Sequence, residues 1–337
     1  MKIGILFCSV FLIVGCAAPK ATVRTLLPAK HHETTQYKNI SVLPFAGHRG
    51  DLIASELESE LVNININGKP FFNVVERVQL EYALSELELG QTGLIDSRSA
   101  VKVGKMIGAE GMYTGQLITL DVDEQYYTED RRECVQHKDP KNVYSDCVTW
   151  QNKAVNCSKK IATFHFAPKL IVVASGRVVY AKNIQETAED SSCVDQSTTI
   201  STDQALLAQA KRAAFKRFVR DVAPTYSNQD IDLIDDVKGL SEASSQSFSS
   251  AIDFAEKGRM DRACQLWKRT LEVNGKGTFP VLYNLGLCAE TAGNYNQAQA
   301  RYQQADQLLA SPNETVSAAV TRIQEKIRQQ RKLRQQL

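Results

Sequence analysis

The chain has 337 residues, 43% of them hydrophobic, and its 40 lysines and arginines against 38 carboxylates give a formal net charge of +2. That balance argues against a dedicated nucleic-acid binder, which would carry a strongly basic surface, while the length suggests two domains with enough apolar content for real cores. Eight cysteines make the compartment the first question, because an oxidising one turns them into disulfides.

The amino terminus, MKIGILFCSVFLIVGCAAPK, has Lys2, an apolar run from Ile3 to Val14, then Gly15 and Cys16. This is the pattern of an export signal, and the run is shorter than the roughly 20 residues of a spanning helix. Ile13-Val14-Gly15-Cys16 is similar to the lipobox of bacterial lipoproteins. The resemblance implies removal of residues 1–15 and acylation of Cys16, with each buried methylene adding about 0.8 kcal/mol of membrane affinity. Ala17 stands where an inner-membrane retention signal would place Asp, so the expected location is the outer membrane, lipid-anchored and facing the periplasm. Cys8 leaves with the signal and Cys16 carries lipid. Cys134, Cys147, Cys157, Cys193, Cys264 and Cys288 remain, an even number that reads as disulfides. Residues 16–37, with Pro19, Pro28, His31 and His32 and no periodicity, read as a solvated tether rather than a His-His metal site.

An α/β domain is expected over residues 38–224. NISVLPF (39–45) predicts a buried strand, and Leu52, Ile53, Leu57 and Leu61 predict a helix behind it. FFNVVER (71–77) reads as a second strand, followed by helices over 79–89 and 97–107 and a strand from Gly111. ATFHFAPKLIVV (162–173) places Ala162, Phe164, Phe166, Pro168, Leu170 and Val172 on one face, with Pro168 pointing to an edge or a bulge. A turn at 174–177 returns the chain through VVYAKNIQE. A helix from Asp203 to Val222 repeats Leu206, Ala210, Ala214, Phe218 and Val222 and stops at Pro224. Its Lys211, Arg212, Lys216, Arg217 and Arg220 read as a solvated face. Residues 225–247 read as a polar linker.

Residues 126–160 carry Cys134, Cys147 and Cys157 among dense charge. A membrane strand of about 9–11 residues needs an apolar residue at every second position, and neither parity supplies it here, so the stretch is expected to stay in water. Cys134-x-x-His137 with Cys147 and Cys157 could make a zinc site, but an oxidising compartment favours disulfides. Four cysteines allow three pairings. Cys134 with Cys147 and Cys157 with Cys193 is preferred, since the second bridge would tie the strand before ATFHF to the loop after its partner.

From residue 248 the period changes. Leu285-Gly286, Ala289, Gly293, Tyr295, Ala298, Tyr302, Ala305 and Pro312 resemble one tetratricopeptide (TPR) repeat. Ala251, Gly258, Met260, Ala263 and Trp267 resemble a weaker copy before it. The resemblance implies an all-α domain over 248–337, closed by a capping helix from Thr315. It also implies a groove for a protein partner, with Trp267, Tyr283, Asn284, Tyr295 and Tyr302 as candidate contacts. Cys264 and Cys288 would fall on neighbouring helices, as a disulfide or as two buried thiols.

The order of elements over 38–222, with Val75-Glu76-Arg77, Leu80, Leu84, Gly104, Gly108-Ala109 and Gly115, resembles the periplasmic domain of the CsgG/HfaB curli-secretion family. Channel members of that family insert two amphipathic hairpins into a shared barrel, and 126–160 and 188–204 occupy the corresponding places. LpoB-type activators of peptidoglycan synthases use a similar shape, so fold and activity separate. Glu76 and Arg77 read as structural.

No phosphate-cradling glycine loop, GxSxG or HExxH is present. The expectation is a non-enzymatic, cofactor-free outer-membrane lipoprotein. It would be a CsgG-like scaffold for secretion or surface-structure assembly, binding a protein partner through its repeats, with homo-oligomerisation left open. The alternatives are an oligomeric CsgG-type secretion channel and an LpoB-like activator of a cell-wall synthase.

Overall fold

The computed structural model describes residues 18–87 and 96–337. The expected export signal, Cys16 and the end of the helix expected over 79–89 lie outside the described residues. The chain divides into two compact units. One is Pro28–Thr225 with Gln336–Leu337, and the other joins Tyr226–Gln335 to the residues up to Leu27.

Strand β1 (Lys20–Leu27) therefore belongs to the second unit. In the first unit come a 3-10 helix (His32–Gln36), β2 (Asn39–Val42), α1 (Gly50–Val62), β3 (Asn65–Ile66), β4 (Lys69–Pro70), β5 (Asn73–Val74) and α2 (Arg77–Glu86). Next are α3 (Ser97–Met106), β6 (Gly111–His137), β7 (Cys147–Val172), β8 (Val178–Ala181), β9 (Ile184–Cys193) and α4 (Asp203–Val222). The sheet runs β5-β2-β6-β7-β8, with β9 also on β7. β2 is parallel to β5 and β6, and the rest is antiparallel.

Period-2 alternation decides what each strand presents. In β6 and β7, Tyr113 is opposite Leu170 and Met112 opposite Ile171. Met112 and Ile171 pack with Leu80, Leu84, Ala100 and Val103 of α2 and α3. On the other face Phe164 and Phe166 stack at 5.1 Å, and both meet Phe215 of α4 edge-on. Tyr113 meets Phe218 at 5.4 Å. Each such ring, fully buried, stabilises the fold by about 1.5–3 kcal/mol. α4 keeps the expected bounds because Thr202 caps it, its Oγ1 accepting from the Ala205 N–H at 3.3 Å. Part of its basic face is paired, Lys211 with Glu56 and Arg217 with Glu186.

Pro168 departs from expectation. It sits opposite Gly115 of β6 in a strand paired on both sides. The missing N–H is tolerated because the neighbour on its other side changes from β9 to β8 there, Phe166 pairing with Ile184 and Lys169 with Ala181. Gly115 is required opposite it, since a Cβ would lie 2.2 Å from the Ala167 carbonyl oxygen. The FFNVVER strand is shorter than expected, because the chain turns into α2 at Arg77 straight after Glu76.

Within the expected tether, the described residues 18–37 are not free chain. Thr34 and Thr35 of the 3-10 helix are buried. The His31 N–H donates to the Asp221 carbonyl and the Thr34 hydroxyl to that of Val222. Asp221, itself buried, is approached by Lys30 at 3.6 Å and Lys182 at 3.4 Å and accepts from the Tyr180 hydroxyl at 3.2 Å. His31 lies edge-on to the Tyr180 ring and His32 beside Gln36.

In the second unit β1 pairs with β10 (Thr225–Asp232), so part of the expected linker is also ordered. Helices α5 (Glu242–Glu256), α6 (Met260–Asn274), α7 (Phe279–Thr291), α8 (Tyr295–Gln307) and α9 (Glu314–Gln336) follow. Ala21 and Val23 of β1, with Ile231 and Leu233, share one core with Phe248, Ala251, Ala263, Trp267 and Leu285. A second core joins Tyr283, Ala298, Tyr302 and Ala305 to Val316, Ala319 and Ile323 of α9. Gly286 lets α7 and α8 approach, since a Cβ there would lie 2.6 Å from the Tyr302 ring.

Candidate binding surfaces

Two of the three disulfides define the first surface. Cys157 and Cys193 face each other across β7 and β9 and are bridged, and Cys134 is bridged to Cys147. Their sulfurs are therefore not thiolate ligands, and the His137 ring nitrogen lies 3.0 Å from the Ser145 carbonyl instead. Glu129 lies within ligand distance of Cys157 and Cys193, but there too the sulfurs are spent on the bridge. Up to Tyr127↔Cys157 the hairpin is flanked by β9. Beyond it β6 and β7 continue as a two-stranded ribbon to His137↔Cys147.

At about 3.4 Å per residue that ribbon reaches roughly 30 Å past the third strand. Its root is a small covered cluster of Val155, Cys157 and Cys193. Arg131 spans this root, pairing with Glu129 at 2.9 Å and Asp195 at 3.5 Å. Further out both faces carry charge, Glu129, Arg131, Glu133 and Lys153 on one and Asp130 and Arg132 on the other, with the neutral amides Gln151 and Asn152 among them. Aromatics stand among them. Tyr144 is 95% exposed, Tyr126 79%, and Trp150 52% with the Arg132 guanidinium 5.5 Å from its ring.

The helical unit offers a cavity of about 530 Å³. Met260, Leu271, Leu285 and Ala289 supply apolar lining beside the Cys264–Cys288 bridge, with Lys268, Glu272 and Arg301 as its charged members. Asp261 also lines it, but Arg259 holds this carboxylate by two hydrogen bonds of 2.9 Å and lowers its pKa to about 2.

Four of the five expected partner contacts are elsewhere. Trp267, Tyr283, Asn284 and Tyr302 are fully buried. The Tyr283 hydroxyl donates to the Asp232 carbonyl, and its pKa is pushed up to about 12 by burial. Asn284 exchanges two hydrogen bonds with the backbone of Ile234. Trp267, Tyr283 and Tyr302 build the cores, their large rings filling gaps between helices; of the five, only Tyr295 is half-exposed. Glu76 and Arg77 form the corner of α2, with Arg77 pairing with Glu81 at 3.2 Å and Glu58 at 3.9 Å.

Sequence reasoning missed Glu290. Its buried carboxylate receives Arg322 through two bonds of 3.0 and 3.1 Å, Lys326 at 2.8 Å and the Tyr302 hydroxyl at 2.6 Å. Lys326 also donates to Thr25 of β1 at 2.9 Å. Burial opposes ionisation of Glu290, yet the two cations prevail and its pKa lies below the ordinary carboxylate value.

Among known proteins, residues 19–129 match the family model described as curli production assembly/transport component CsgG. The match covers less than half of the chain and ends at Glu129, where the ribbon leaves its third strand. No curated protein matches significantly. Solved structures similar to the chain include the LpoB C-terminal domain from Salmonella enterica, with 14% identity, TM-score 0.26, and 44% of this chain and 81% of that one covered. LpoB of E. coli gives 10%, 0.27, 56% and 80%, and a hypothetical protein from Chlamydia trachomatis 9%, 0.28, 55% and 94%. Likeness at that level transfers neither fold nor function. What the chain has is a CsgG-type segment over residues 19–129 and a helical carboxyl-terminal unit.

Proposed function

We propose that the chain is a non-enzymatic outer-membrane lipoprotein, acylated at Cys16 and facing the periplasm. It acts as a CsgG-like scaffold for secretion or surface-structure assembly, with TPR-type helical repeats that bind a protein partner. The observation that carries partner binding is the cavity beside Cys264–Cys288, whose apolar lining and charged members suit a peptide segment rather than a small polar substrate. The CsgG match over residues 19–129 supports the scaffold.

Ala292 lines the cavity from the exposed end of α7. Ala292→Trp in the full-length protein is expected to fill this space and reduce recovery of the cross-linked partner at least tenfold, with the circular dichroism spectrum unchanged. Undiminished recovery from the folded variant would remove the cavity from partner binding.

The second reading is an oligomeric secretion channel. It is favoured by the ribbon, whose strands have the roughly ten-residue length that a bilayer requires. Charge on both faces weighs against it, since Arg or Lys on a lipid face costs about 2–4 kcal/mol near the midplane.

A further inference from the structure

The segment following Cys16 folds into the helical unit, and this limits where that unit can sit. Ala21 and Val23 of β1 are wholly buried in the core around Phe248 and Trp267. Thr25 is held by Lys326 of the Glu290 network, and the Pro19 carbonyl accepts from the Leu233 N–H at 2.7 Å. A strand fixed by core burial, an ion network and backbone pairing cannot also serve as slack. Only Ala17, Ala18 and Pro19 separate Cys16 from Lys20, and four extended residues reach about 14 Å.

We propose that the helical unit sits at the membrane surface, its β1–β10 ribbon held at the lipid headgroup layer by this short connection. The proposal rests on acylation of Cys16. The exposed side of β1 fits a headgroup contact rather than insertion, because it presents Lys20, Thr22 and Arg24 and no apolar side chain. Lys20 pairs with Asp232 at 3.5 Å, Thr22 donates to Asp230 at 2.7 Å, and the Arg24 guanidinium lies 4.0 Å from the centroid of the Tyr226 ring. Charged and hydrogen-bonded groups of this kind stay at the wet interface of a bilayer. The partner is thus the lipid surface itself, and the cavity of the helical unit is kept within reach of it.

The chain's two tryptophans allow a direct test, since Trp267 is in the helical core and Trp150 is on the other unit. Trp150→Phe leaves Trp267 as the sole donor. Full-length lipidated protein is placed on phosphatidylethanolamine and phosphatidylglycerol vesicles carrying dansyl-labelled headgroups, and energy transfer is measured. Transfer from Trp267 is expected, and inserting about 20 Gly/Ser residues between Ala17 and Ala18, with a root-mean-square span of roughly 25 Å, should lower it at least twofold. Bound, acylated protein with no transfer, or transfer unchanged by the insertion, overturns the inference alone. An intact mass without acyl groups on Cys16 removes the acylation reading and the inference together.

Discussion

At the residue scale, Glu290 is the most consequential side chain outside the apolar cores. A buried carboxylate is tolerable only when its lone pairs are met, and removing one partner of such a group typically costs about 3–5 kcal/mol. Glu290→Ala is therefore expected to destabilise the helical unit by about that amount, read from Trp267 fluorescence during urea unfolding in a Trp150→Phe background. The pH dependence has a definite sign. Because the folded pKa of Glu290 is depressed, its contribution is fully present above the ordinary carboxylate value and lost as pH falls through the folded one. Glu290→Gln should lack this acid-dependent part of the loss, and an identical acid profile in both proteins would contradict the assignment. Nothing in the sequence marked Glu290, because its partners Arg322 and Lys326 lie on another helix. The aromatics of the helical unit are visible in the sequence, but they fill its cores rather than line a groove. Trp267, Tyr283 and Tyr302 are buried because the helical cores need their volume, and spacing alone does not separate a groove from a gap.

At the element scale, legibility followed burial. α4 was readable because one apolar residue in four faces the sheet, Thr202 caps it and Pro224 ends it. The distal parts of β6 and β7 were not readable as strands. Neither of their faces is buried, so alternation never appears, and register comes from the core end and from the bridges. The pairing preferred from sequence, Cys134–Cys147 and Cys157–Cys193, is the pairing in the structure. The two bridges should behave differently. Cys134→Ser/Cys147→Ser removes a closure near the tip, so faster hydrogen exchange is expected for Thr128–His137 amides with little change in global unfolding. Cys157→Ser/Cys193→Ser opens the covered root that ties β9 to β7, and should lower the stability of the α/β unit by about 2–4 kcal/mol. The reverse order would show that the ribbon, not its root, carries the stability.

At the scale of the whole molecule, β1 and β10 redraw the boundaries. KATVRTLL and TYSNQDID bury few large residues and are flanked by prolines and polar runs, so they read as tether and linker. The helical unit nevertheless closes its core with Ala21, Val23, Ile231 and Leu233. Truncation at residue 240 would strip the helices from those four residues, and the shortened protein is expected to aggregate or exchange β1 amides freely. A monodisperse product with protected β1 would contradict this account. Partner-binding experiments therefore belong on the full chain with point variants.

A tethered scaffold of this kind keeps its ribbon in water. This is tested most directly by electron microscopy of the full-length lipidated protein extracted in mild detergent. The account predicts particles, single or assembled, whose detergent is confined to the acyl anchors and whose ribbons project free of it. Rings with a continuous detergent belt around the ribbons would contradict it and establish the secretion channel.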